Sequence, residues 1–254
     1  MTLAITRDIS PRFNECELTH INRTPIDLDT ARAQHHGYVQ VLKELGCSVL
    51  ELPPEPDLPD SVFVEDTAVI LPEVALLTRP GADSRKPETG SIARALTPYR
   101  DLVRISAPAT VDGGDVLALG KYIYFGMSTR SSRAAIDQMN QLLGSYGYRV
   151  RDVEIHDCLH LKSAVTYVDA KTLLINRKWV DVENFEGYDL FDIDPSEPYA
   201  ANCLPVNGAV IYPTSFPRTR ERLERKGFKV KAIEMDELAK AEGAVTCCSL
   251  IIDH

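Results

Sequence analysis

No apolar run in this sequence approaches the roughly 20 residues a membrane-spanning helix needs. No low-complexity tract or linker interrupts it either, so residues 1–254 are expected to form one domain. The opening Met1-Thr-Leu-Ala-Ile-Thr-Arg-Asp8 lacks the basic flank and long apolar stretch of a secretory signal, and a cytoplasmic location is expected. No Cys-x-x-Cys pair occurs among the six cysteines at 16, 47, 158, 203, 247 and 248. That spacing argues against a structural zinc site, and in a reducing compartment the thiols are expected to be free. Positive charge is in deficit: 28 Lys and Arg face 37 Asp and Glu, a net charge of −9. This disfavours nucleic acid or an anionic membrane as partner and favours small cations. With 44% hydrophobic and 26% charged residues, the chain is ordinary for a globular protein and long enough to bury a core.

Among what is present, Asp60-Ser-Val-Phe-Val-Glu-Asp66 stands out. Val62, Phe63 and Val64 are β-formers, so the segment reads as a short strand. Three carboxylates sit in or against that apolar run, with no Lys or Arg inside it. Carboxylates near a core need a positive partner, and a cationic ligand is one candidate. The alternative is a strand end whose acids face water.

A strand–strand–helix–strand pattern recurs along the chain. Its clearest copy starts at Asp112, with strands Asp115–Leu119 and Tyr122–Phe125, a helix over Ser131–Tyr146 and a strand at Tyr148–Val153. A second copy starts at Ala201, with strands Asn202–Val206 and Ala209–Pro213, a helix Arg218–Lys226 and a strand Phe228–Ile233. A third starts at Ser61, with strands Val62–Leu71 and Val74–Thr78, a helix near Glu88–Leu96 and a strand Leu102–Ile105. A fourth starts at His160 and lacks a clear helix, since its 181–194 stretch is acidic and irregular. The N-terminal strand Leu3–Arg7, helix Leu28–Leu45 and strand Ser48–Leu52 lack a first strand, which Ala244–Ile252 at the other end would supply. Five units of about 40–50 residues, closed across the termini, point to an α/β propeller, whose ring hides its strand edges.

Chemistry-bearing residues gather at the starts of first strands. Cys247-Cys248 lies on the closing strand, where alternation would turn one thiol to the ring centre and bury the other. His160 sits between Leu159 and Leu161, and Asp112-Gly-Gly-Asp115 opens the clearest repeat. Each has a bland reading: an inert core cysteine, a satisfied structural histidine, a plain turn. Together, a thiol, an imidazole and carboxylates converging on one channel form a constellation for nucleophilic catalysis, with further carboxylates left to bind a cationic substrate.

Six segments, Pro59–Asp66, Thr78–Arg85, Asp112–Val116, Leu159–Ser163, Ala200–Cys203 and Val245–Ser249, together resemble the dimethylarginine dimethylaminohydrolases of the guanidine-modifying, or pentein, superfamily. The motifs occur in the family's order and span nearly the whole chain. The resemblance implies a five-bladed α/β propeller, matching the repeats. It implies Cys247 as nucleophile, His160 as acid/base, and Asp112 as the carboxylate paired with His160, one methylene shorter than the Glu common in bacterial relatives. It further implies Glu65 and Asp66 as guanidinium ligands with Phe63 against the planar group, Arg85 and Arg130 on the substrate α-carboxylate, and Asp60 near the α-amino group. Leu18, on a lid between Pro11 and Thr24, and Ala241 would add backbone contacts. Strict alternation puts Glu65 and Asp66 on opposite faces, so both reach one ligand only if the strand ends or bulges there.

The reaction so implied is hydrolysis of Nω-methylated arginines to citrulline and dimethylamine or methylamine through a Cys thiouronium intermediate. No cofactor or resident metal is expected, and zinc would enter only as an inhibitor that captures Cys247 and His160. The expected partner is a small cationic amino acid, and a homodimer is left open. Sibling activities (arginine deiminase or citrulline hydrolase) and a catalytically silent amino-acid sensor are the competing readings.

Overall fold

The computed structural model describes residues 2–253. Five three-stranded sheets follow one another along the chain. The first holds β1 (Thr2–Arg7) and β2 (Ser48–Leu52), joined by helix α1 (Leu28–Glu44). The second holds β3 (Ala68–Ile70), β4 (Val74–Leu77), α2 (Thr89–Leu96) and β5 (Asp101–Arg104); the third holds β6 (Val116–Leu119), β7 (Tyr122–Gly126), α3 (Arg133–Leu143) and β8 (Arg149–Val153). In the fourth, the one-turn helix α4 (Leu161–Ala164) precedes β9 (Val165–Tyr167), β10 (Thr172–Ile175) and β11 (Asp189–Asp192). The fifth holds β12 (Leu204–Val206), β13 (Ala209–Pro213), α5 (Pro217–Arg225) and β14 (Val230–Ile233). After the short α6 (Asp236–Ala239), the last strand β15 (Leu250–Asp253) pairs antiparallel with β1 and completes the first sheet across the termini.

Each sheet repeats one pairing rule: first strand antiparallel to second, second parallel to third. A parallel neighbour requires a crossover, which is why a helix separates the second and third strands in four units. In the fourth, a single 3-10 turn (Val182–Phe185) replaces the helix, and the stretch read as irregular supplies the parallel strand β11. Packing is cyclic. Apolar clusters join sheet one to two (Ile5, Val64, Leu77), two to three (Leu76, Val116, Phe125) and three to four (Leu117, Val165, Leu173). Others join four to five (Leu174, Val210, Tyr212) and five back to one (Ala4, Val206, Ile211). This is the five-bladed α/β propeller. Among the described residues no helix is long and apolar enough to cross a membrane.

The first strands are shorter than their sequence suggested, and always at the same end. The expected Val62–Leu71 strand begins only at Ala68, because Val64–Thr67 is a 3-10 turn. The expected Ala244–Ile252 strand begins at Leu250, after a turn over 245–248. Gly113–Asp115 is a 3-10 turn ahead of β6, and α4 stands ahead of β9. β-propensity lost here to tertiary packing. Val62 and Val64 are both fully buried but in different clusters, which a flat strand could not arrange.

Candidate active site

These turns deliver the functional side chains. A 3-10 turn turns successive residues through about 120° rather than 180°, so neighbours that a strand would send to opposite faces stay near the ring centre. Asp66 comes from the turn before β3, Asp112 from that before β6, His160 caps α4, and Cys247 lies in the turn before β15. Eight of the expected residues line one narrow cavity: Cys247, His160, Asp66, Asp60, Phe63, Arg85, Arg130 and Ala241. Its free volume is about 20 Å³, room for little more than a water. An amino acid enters only if the 11–24 segment moves.

That segment is fastened over the cavity by its backbone. The Glu17 N–H donates to both Asp60 carboxylate oxygens (3.2 and 3.1 Å), and the Thr19 and His20 N–H groups donate to Glu242 (2.7 and 2.6 Å). Arg130 Nη2 donates to the Thr19 hydroxyl (2.8 Å). The Leu18 side chain is half-buried against the apolar core, and its neighbour Glu17 lines the cavity.

His160 is held between two carboxylates. Its Nε2 lies 3.1 Å from Asp112 Oδ2, and its Nδ1 4.0 Å from Asp66 Oδ1. Burial opposes charge on the ring, but Asp66, Asp115 and the hydrogen bond with Asp112 outweigh it and push the imidazole up to about 9. Asp66 moves the other way: burial opposes its ionisation, but His160 and Arg85 hold it down at about 2. The Cys247 thiol is raised, first by burial and then by the charges of Glu65 and Asp66, so the cavity holds a thiol together with an imidazolium. Ligand atoms of Asp66, Asp112 and His160 lie within 4.8 Å of one another, the one such group among the described residues. The glycine pair read as a plain turn is a close approach: a Cβ on Gly113 would overlap the Glu65 carbonyl, and one on Gly114 would lie 2.5 Å from His160 Nδ1.

A raised pKa in the folded state stabilises the fold while the group is protonated. The His160 contribution is therefore complete below pH about 6.5, its ordinary value, and is lost as pH rises through about 9. Denaturant unfolding of the parent and His160→Ala should show a stability gap that is widest near pH 6. The gap should shrink by roughly 3 kcal/mol by about pH 10. A gap independent of pH would contradict the ion-pair assignment.

Two expected ligands are engaged elsewhere. The Glu65 carboxylate binds Lys162 Nζ (2.6 Å) and the Thr246 hydroxyl (2.7 Å), facing a second cavity beyond the ring of turns. Its backbone N–H also donates to the Cys247 carbonyl (3.1 Å), so Glu65 anchors the Cys247 turn, and it does not line the cavity shared by Cys247 and His160. Arg85 is buried in ion pairs with Asp66 (2.6 Å) and Glu88 (2.9 Å), and it also donates to the Asp60 and Phe63 carbonyls. These bonds use all but one of its five N–H groups, so it is no free fork for a carboxylate. Glu88 was missed in the sequence, although its i,i+3 spacing from Arg85 was the available signal. Arg85→Ala would strand two buried carboxylates and is expected to cost about 3–5 kcal/mol in unfolding free energy, a loss checked by denaturant melts.

Comparison with known proteins agrees with this geometry. Residues 56–202 match the arginine deiminase family model. The chain is 36% identical over 226 residues to the N(G),N(G)-dimethylarginine dimethylaminohydrolase of Pseudomonas aeruginosa, covering 88% of this chain and 89% of that one. It is 37% identical over 248 residues to the Streptomyces coelicolor protein of the same name, covering 97% and 95%. The structure of a cysteine-to-serine mutant of the Pseudomonas enzyme with citrulline superposes with a TM-score of 0.93 at 33% identity, covering 98% of both chains. A dimethylarginine dimethylaminohydrolase histidine-to-glycine mutant, an adduct with S-methyl-L-thiocitrulline, also gives 0.93 at 33% identity, covering 98% of this chain and 99% of that one. By sequence and by fold, this chain belongs to the dimethylarginine dimethylaminohydrolases, hydrolases of C–N bonds within the arginine deiminase-like pentein superfamily.

Proposed function

We propose that the protein hydrolyses Nω-methylated arginines, asymmetric dimethylarginine and monomethylarginine, to citrulline and dimethylamine or methylamine. The observation that carries this reading is the single lidded cavity shared by Cys247, an imidazolium at His160 and the ionised Asp66. The guanidinium lies against Phe63 with its positive charge facing Asp66, while Asp60 receives the α-amino group. Arg130, held 3.8 Å from Asp112 and bonded to the lid through the Thr19 hydroxyl, receives the α-carboxylate.

Burial and two carboxylates keep Cys247 protonated, so attack requires positive charge nearby. The substrate guanidinium and His160 supply it. With both cations in place the Cys247 S–H proton is lost to solvent water, the thiolate sulfur bonds to the guanidinium carbon, and the C–N bond to the methylated nitrogen breaks as His160 hands its own proton to the leaving amine. A water, deprotonated by the now neutral His160, adds to the thiouronium carbon. The C–S bond breaks, the thiolate is regenerated, and citrulline leaves. Zinc would inhibit by taking Cys247 and His160, with Asp66 and Asp112 adjacent.

The test is mass spectrometry of products from asymmetric dimethylarginine, monomethylarginine, arginine, citrulline and agmatine. Citrulline with dimethylamine is expected. Ammonia from arginine as the dominant product would make the chain a deiminase, ornithine would make it a citrulline hydrolase, and no turnover of any substrate would leave a sensor. Arg130→Ala is expected to raise KM for dimethylarginine about tenfold to a hundredfold with a smaller change in kcat, because it removes a charge-assisted contact to the carboxylate. Efficient agmatine turnover by the parent would remove Arg130 from that role.

A further inference from the structure

Asp115 closes the Asp112-Gly-Gly-Asp motif, and beyond its share in keeping His160 charged no role has been given to it. Asp115 is fully buried and does not line the cavity. Its carboxylate gathers three donors. Oδ2 accepts from the hydroxyls of Ser128 and Ser131, the latter at 2.6 Å, and Oδ1 accepts the Leu161 backbone N–H at 3.0 Å. The two serines pass the constraint on. The Ser128 hydroxyl oxygen accepts the Arg130 N–H (3.1 Å), and that of Ser131 accepts the Asp112 N–H (3.2 Å). Leu161 follows His160 directly. One carboxylate therefore reaches, by one or two hydrogen bonds, the segments that carry Arg130, Asp112 and His160. Slack is absent on the far side: a Cβ at Gly126 would lie 2.9 Å from Asp115 Oδ1 and 2.7 Å from the Leu161 Cβ.

We infer that Asp115 is a positioning residue, setting the relative placement of Arg130, Asp112 and His160 through Ser128, Ser131 and the Leu161 amide. The role rests on the hydrolysis proposed above. A carboxylate suits it because all three neighbours donate and it can only accept. An amide of the same shape turns one face into a donor. It would force the serine hydroxyls to reverse and to compete with the Arg130 and Asp112 amides they now satisfy.

Asp115→Asn, Ser128→Ala and Ser131→Ala in the full chain test this, with kcat and KM for asymmetric dimethylarginine expressed per alkylatable Cys247. Asp115→Asn is expected to lower kcat/KM about tenfold to a hundredfold, with kcat falling through His160 and KM rising through Arg130. Ser128→Ala is expected to raise KM several-fold while kcat stays within about twofold. Hydrogen exchange without substrate should show faster exchange at the Leu161 and Arg130 amides in Asp115→Asn. Unchanged kcat and KM per active thiol, with loss only in the folded fraction, would reduce Asp115 to a structural residue and overturn the assignment. If Asp115→Asn does not fold, unchanged KM in both serine variants overturns it equally. If the parent does not turn over dimethylarginine, the proposed reaction falls, and unaltered exchange at Leu161 and Arg130 then decides against Asp115 by itself.

Discussion

Cys247→Ser is expected to abolish turnover, by roughly a thousandfold or more, and to leave the fold intact. A serine hydroxyl has no accessible anion near neutral pH, and nothing in this cavity is arranged to make one: His160 is already protonated and Asp66 already paired. Cys247 is partly buried at the cavity wall, so the smaller oxygen costs little packing. Cys248 sits in the opposite situation. It is fully buried in the cluster between the first and fifth sheets, its thiol directed at the Ala244 carbonyl. Cys248→Ala should lose some stability and keep most activity. Single-turnover assays beside circular dichroism would check both variants. An active Cys247→Ser together with a dead, folded Cys248→Ala would exchange the two roles.

His160→Ala is expected to slow turnover by about a hundredfold to ten-thousandfold and to trap the enzyme part-way. The first half of the reaction needs positive charge near Cys247, which the substrate guanidinium brings. The second half needs a base for water, and His160 is the only imidazole on the cavity wall among the described residues; His20 lines an adjoining, largely apolar cavity. The variant should therefore accumulate a thiouronium adduct, seen after acid quench as a mass increase on the Cys247 peptide. Removing the imidazolium also leaves Asp66, Asp112 and Asp115 facing one another with less cationic charge. The folded fraction must be measured first, at a pH below 7 and again near 9. Parental turnover with no adduct would take His160 out of the mechanism.

The sequence carried the architecture because the period of the repeat is a local property. The helices over Leu28–Glu44, Arg133–Leu143 and Pro217–Arg225 and the hairpin turns at Gly120 and Gly208 are written in apolar spacing and glycine placement. So was the pairing of the C-terminal strand with the first, since a unit without its first strand and a strand without its unit have one economical solution. Residue types at the site were legible for the same reason: an unpaired acid cluster, a histidine and a cysteine each open a repeat.

Orientation and charge state belonged to the tertiary structure. Strand alternation turned only one of Cys247 and Cys248 inward, and they do face differently, but through a turn held by Glu65 and Asn202 from other units rather than through a strand. The same rule made Glu65 and Asp66 an awkward pair. The 3-10 turn buries both near the ring but toward different cavities, Glu65 paired with Lys162 and Asp66 with Arg85. Lys162 is 97 residues from Glu65, and Thr246 is 181. Hydrogen bonds across such distances leave no periodicity in the chain. Sequence fixes which groups can ionise; only the folded ring decides which of them meet, which are buried, and so which carry charge.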